Sequence, residues 1–140
     1  MRLFITGIFF LIVSLAQSQI YDPVSFKPDV QKIDDTHYAL SIHASIEPGW
    51  HLYAQNVPDG GPVPTQFEFT TSDAYELNGS VSEPQGHVVD DPIFEMRIKY
   101  FSDSAEFQQV IERKTAEAFS VKASVEFMVC NDESCLPPTI

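Results

Sequence analysis

Cys130 and Cys135 are the only cysteines of the chain, and only Asn131, Asp132, Glu133 and Ser134 stand between them. Two sulfurs this close can alternate between dithiol and disulfide, a thiolate attacking a partner's disulfide through a mixed disulfide. The competing use is structural, since a disulfide is the ordinary fate of paired cysteines in an exported domain. Magnitude weighs against a staple: so short a closure yields only roughly 2 kcal/mol, against ~4.7 for a loop of about 100 residues. Asp132 and Glu133 raise the pKa of a neighbouring thiol, so local sequence activates neither sulfur. That argues against a potent thiol oxidase and suits a slow or partner-gated exchanger.

Other chemistries find less support. Zinc needs four ligands, and His37, His43, His51 and His87 show no metal-type spacing around the cysteines. No glycine-rich phosphate loop and no nucleophile elbow is present. No cofactor and no metal is expected.

The cysteines sit at the end of the clearest strand in the sequence. From Phe119 to Val129 the odd positions Phe119, Val121, Ala123, Val125, Phe127 and Val129 are apolar and the even ones mostly polar, the period-two pattern of a strand with one buried face. Cys130 shares the even face with Lys122, Ser124, Glu126 and Met128, so its sulfur is expected near the surface. Pro137 and Pro138 then end any ladder, because proline lacks the N–H donor.

Upstream, residues 1–18 read as a cleaved secretory leader: Arg2, an apolar run from Leu3 to Leu15, then small residues at Ala16 and Ser18. Residues 19–140 then form one exported, periplasmic domain with no membrane span in the mature chain. The formal charge of the whole chain is −12, and loss of Arg2 with the leader makes it one unit more negative. A nucleic-acid partner, which needs clustered positive charge, is excluded; the acids read as a solvated surface.

The mature chain is strand after strand. Tyr21 to Ile33 is extended and carries Pro23 and Pro28, marks of an edge. His37 to Ile46 alternates, with Tyr38, Leu40, Ile42, Ala44 and Ile46 on one side. Trp50 to Tyr53 follows a turn at Glu47-Pro-Gly49, and a loop dense in Pro and Gly runs from Asn56 to Thr65. Phe67 and Phe69 mark a short strand. Asn78-Gly79 predicts a hairpin between Tyr75–Leu77 and Ser80–Val81. Gly86 to Val89 is a further short strand. Beyond Asp90-Asp-Pro92, Phe94, Met96, Ile98 and Tyr100 alternate with charged residues, while Phe107 to Lys114 fits a helix or a strand. Short strands with turns every eight to twelve residues predict an all-β sandwich.

Three segments together resemble a known family: Cys130-Asn-Asp-Glu-Ser-Cys-Leu-Pro-Pro138, Gly49-Trp-His-Leu-Tyr53 and Gly60-Gly-Pro-Val-Pro-Thr65. They are similar to the N-terminal periplasmic domain of the thiol:disulfide interchange protein DsbD, over roughly Tyr21 to Ile140. The resemblance implies an immunoglobulin-like β-sandwich acting as a component of a protein-disulfide reductase. Its cysteine pair would take electrons from a membrane electron donor and pass them to thioredoxin-like periplasmic proteins. It implies that Cys135 exchanges with the partner and Cys130 resolves the mixed disulfide. It further implies a cap loop with an aromatic residue, matched by Phe94 in Asp90-Asp91-Pro-Ile-Phe94, with His51 and Tyr53 lining the site. Unlike DsbD, this chain carries no membrane or thioredoxin-like domain, so the donor is expected on another polypeptide unless the chain is a fragment. It also stops at Ile140, where the family adds a further strand, which puts closure of one sandwich edge in question.

The rival reading is a non-catalytic immunoglobulin-like binding module with a structural disulfide, whose Trp50 and Tyr53 would form an exposed contact patch.

Overall fold

The computed structural model describes residues 21–140; the expected leader, 1–18, lies outside them. The described residues form ten strands and no helix: β1 Val24–Lys32, β2 His37–Ile46, β3 His51–Tyr53, β4 Gln66–Phe69, β5 Tyr75–Ser82, β6 His87–Asp91, β7 Met96–Phe101, β8 Ser104–Arg113, β9 Ala123–Glu126 and β10 Val129–Cys130. One sheet has the order β1-β2-β8-β5, a second β10-β3-β7-β6, and β4 with β9 makes a two-stranded third; every pairing is antiparallel.

Alternation places the core between them. Val24, Ile42, Ala44, Ile46, Ala105 and Phe107 from the first sheet meet Leu52, Phe101 and Val129 from the second, with Trp50, Ala54 and Phe127 closing the cluster. Phe107 lies edge-on to Phe101 with ring centres 5.5 Å apart, a favoured aromatic geometry. β1 carries Pro28 and pairs only with β2, the edge position where a missing N–H is tolerated.

Three local expectations meet different outcomes. The ambiguous Phe107 to Lys114 segment is strand, part of β8, which pairs with both β2 and β5. The hairpin expected at Asn78-Gly79 is not formed: β5 runs straight through it, and its register against β8 shifts between Asn78 and Ser82. Gly79 has φ +76, so the positive φ serves a β-bulge instead of a turn. Buried Gln109 fixes that bulge, its Nε2 donating to the carbonyls of Asn78 at 3.4 Å and Gly79 at 3.2 Å.

The single strand expected over Phe119–Val129 is also corrected. Phe119 and Val121 pack beside Leu40, Tyr75 and Ile111 without joining a ladder, β9 pairs with β4, and β10 pairs with β3. Between them Phe127 makes an isolated bridge with Thr139. The chain changes partner sheet there, which an alternating pattern cannot reveal, because period two fixes the face and not the neighbour.

Candidate functional site

The second sheet has two buried faces. Along β3, Leu52 points into the core while His51 and Tyr53 take the opposite face; along β10, Val129 points in and Cys130 out. On β7, Phe101 points in, whereas Met96, Ile98 and Tyr100 join Cys130 and Tyr53 in a separate cluster on the outer face. The registers set these residues side by side: Cys130 opposite His51, and Tyr53 opposite Tyr100.

Cys130 and Cys135 are joined in a disulfide. The loop between them is organised by Asn131, whose Oδ1 accepts from the backbone N–H groups of Glu133 at 2.9 Å and Ser134 at 2.8 Å. Below it, Leu136 N–H donates to the Val129 carbonyl at 2.9 Å, and Phe127 and Thr139 exchange two backbone bonds at 3.0 Å. The segment is thus a small hairpin with the sulfurs near its tip.

Cys130 does lie on the even face, as its phase indicates, but it is not near the surface. It is 1% exposed, whereas Cys135 is half-buried. The cover comes from loops distant in sequence, above all the turn Pro92–Glu95 between β6 and β7, with Phe94 and Met96 packed on the cluster of Tyr53, Ile98 and Cys130. Asp91 builds that cap. It is 8% exposed, and its Oδ1 accepts from the N–H groups of Ile93 at 2.8 Å and Phe94 at 3.0 Å. Its Oδ2 takes a long bond from the Tyr53 hydroxyl at 3.4 Å. Phe94 stands edge-on to Tyr53 at 6.1 Å.

Burial first, and then the Asp91 carboxylate beside it, push the Tyr53 hydroxyl well above the ordinary phenol range. Tyr53 therefore stays neutral and keeps its proton for Asp91. His51 stacks on Tyr100, ring centres 4.1 Å apart and planes 20° off parallel, and His87 lies against the same tyrosine at 5.7 Å.

A second loop closes the other flank. Val57 packs on the same cluster, and a Cβ at Gly61 would come within 2.7 Å of Val57 Cγ1 and 2.9 Å of Met96 Sδ. Val63 N–H donates to Met128 Sδ at 3.4 Å, and the Thr65 hydroxyl donates to the Tyr53 carbonyl at 2.6 Å.

The expected site residues Cys130, Cys135, Phe94, Asp91, His51 and Tyr53 thus fall on one face. Val57, Met96, Ile98, Tyr100 and Met128 belong to the same cluster and were not singled out from the sequence. The alternation of Phe94, Met96, Ile98 and Tyr100 was the available signal, since a stripe that long needs something to cover it. Trp50 and Tyr53, the contact patch expected of a binding module, are both buried, at 9% and 1% exposure. No helix among the described residues is long and apolar enough to cross a membrane.

The family described as "Thiol:disulfide interchange protein DsbD, N-terminal" matches residues 17–140. A comparison with curated proteins finds no match. Among solved structures, the DsbD N-terminal domain of Neisseria meningitidis in its reduced form is similar, with 18% identity, a TM-score of 0.53, and coverage of 81% of this chain and 78% of that one. The N-terminal periplasmic domain of ScsB from Proteus mirabilis is similar with 13% identity and a TM-score of 0.61; the likeness covers 88% of this chain but 47% of that one. At these identities the likeness is one of fold, an immunoglobulin-like all-β sandwich.

Proposed function

The chain belongs to the family of DsbD N-terminal domains, thiol-disulfide exchange domains, and from that membership we propose that it is an exported, periplasmic relay of reducing equivalents. The observation that carries the reading is the asymmetry of the pair: Cys130 is sealed at 1% exposure while Cys135 is half-open on the hairpin tip. Such an arrangement supports Cys135 as the sulfur that meets partners and Cys130 as the one that finishes the reaction.

In the dithiol form, the Cys135 thiolate attacks one sulfur of an oxidised partner, forming a mixed disulfide and expelling the partner's other sulfur as a thiolate. Cys130 then attacks Cys135 Sγ, the Cys130–Cys135 bond forms, and the partner leaves with both its sulfurs reduced. The domain has lost the two electrons that the partner has gained. A thiol donor, on this reading a membrane electron carrier, restores the dithiol by the same steps in reverse. Thioredoxin-like proteins are the fitting recipients, since they present an exposed cysteine pair of comparable lability. Phe94 and the turn around it shield the reduced pair from stray oxidants and must move aside when a partner docks.

Trapping tests this directly. The Cys130→Ser variant, mixed with an oxidised thioredoxin-like protein, is expected to accumulate a covalent adduct through Cys135, whereas Cys135→Ser forms none. An adduct formed through Cys130 in the Cys135→Ser variant would reverse the assignment, and absence of any adduct would favour a structural disulfide.

A further inference from the structure

Four residues, one from each strand of the second sheet, follow one another on its outer face: Cys130 on β10 is opposite His51 on β3, His51 stacks diagonally on Tyr100 of β7, and Tyr100 is opposite His87 on β6. Cys130 is directly opposite His51 in the β10–β3 register, a spacing that brings Cβ atoms to about 5 Å. The His51 ring is held flat on Tyr100 at 4.1 Å, Tyr100 is opposite His87, and no protein group hydrogen-bonds either His51 ring nitrogen among the described residues. A half-buried imidazole fixed by stacking, with both nitrogens free, thus stands next to a buried cysteine.

Burial disfavours a thiolate, so Cys130 is poorly prepared for its own attack. The titratable groups around His51 are Cys130 opposite it, Tyr100 stacked on it, His87 beyond Tyr100, and Tyr53 two residues along its own strand. The nearest buried carboxylate, Asp91, is engaged by Tyr53 and the cap backbone. His51 is the one imidazole in this set that sits directly opposite Cys130, and a neutral imidazole nitrogen can accept a proton.

We propose that His51 is the proton acceptor for Cys130 in the resolving step, with Tyr100 as the platform that positions its ring. This rests on the relay reading above and assigns a residue to its second half. In the mixed disulfide, the Cys130 thiol gives its proton to the His51 imidazole as its sulfur attacks Cys135 Sγ. The Cys130–Cys135 bond forms, the bond from Cys135 to the partner sulfur breaks, and the departing thiolate takes the proton from the imidazolium. Atoms, charge and electrons balance without any further reagent.

Oxidised glutathione serves as the probe. The reduced protein is mixed with it, and formation and resolution of the glutathione adduct are followed separately across the neutral pH range, for the wild type, His51→Gln and His51→Phe. Adduct formation through Cys135 is read as a separate first phase, and it is expected to change less than resolution does. Resolution is expected to slow by roughly tenfold in both variants, the equivalent of about one unit in thiol acidity, and to lose the inflection that an imidazole gives. His51→Phe preserves a ring on Tyr100, so resolution at the wild-type rate in that variant would show that stacking alone matters and would overturn the inference. Equal pH profiles in all three proteins would also overturn it while leaving the relay intact. A wild-type protein that forms no adduct would sink the relay reading and this one with it.

Discussion

The two faces of the β10-β3-β7-β6 sheet are built from alternate residues of the same strands, yet they are buried in different ways. Leu52, Phe101 and Val129 face another sheet and are aligned with one another by the β10–β3 and β3–β7 ladders. Tyr53, Ile98 and Cys130 are buried as completely, at 1% exposure each, but what packs over their cluster is one loop and a turn. Burial fraction alone therefore does not distinguish a scaffold from a site; the nature of the cover does. Sheet against sheet can open only by global unfolding, whereas a loop can lift locally at a fraction of that free energy.

Substitutions on β7, which contributes to both faces, provide the sharpest contrast. Phe101→Ala should cost about 3–5 kcal/mol in denaturant unfolding, with the reduction rate of the remaining folded disulfide unaltered. Ile98→Ala, three residues away, should fall nearer the low end for such truncations, about 2 kcal/mol, because loops settle into a gap more readily than ladders do. It should also hasten reduction of the disulfide by dithiothreitol. Equal costs and equal reduction rates would erase the distinction between the faces.

Gly61→Ala places a methyl against Val57 and Met96 and should destabilise by about 1–3 kcal/mol through displacement of the covering loop. Reduction should again be faster, whereas an unchanged rate would mean that this loop covers nothing that matters. Phe94→Ala should cost little more than about 1 kcal/mol, since the side chain is only half-buried. It should give the largest rise in reduction rate for its cost in stability.

The smallest effect is one of pH. The Tyr53 pKa is raised in the folded state, by burial first and then by Asp91, so its contribution is complete below the ordinary phenol value of about 10 and is lost as pH climbs above that. Alkaline unfolding should consequently be shallower in Tyr53→Phe. At neutral pH that variant loses only the long bond to Asp91, under about 1 kcal/mol.

Much of this was legible in the residues. Alternation located β2, β7 and the face of Cys130, and the three quoted segments pointed to the family that the comparison supports. What escaped was everything that depends on pairing at long range. Period two placed Cys130 opposite the core stripe but could not show that Phe94, thirty-six residues earlier by number, packs on the same cluster. Asn78-Gly79 supplied the positive φ that the sequence advertised, but tertiary pairing with β8 used it for a bulge. Phe119 to Val129 kept its alternating faces while serving three different neighbours, since nothing in a strand's own pattern names its partner.

The terminal hairpin is held by backbone bonds between Leu136 and Val129 and between Phe127 and Thr139, none of which involves sulfur. Cleaving the sulfur–sulfur bond therefore leaves the two thiols tethered at short range, at an effective concentration in the millimolar range or above. Ring closure is then a unimolecular event that outpaces capture by a second visitor; on the proposed relay, each docking would deliver its electrons once and release the guest without leaving it covalently stranded.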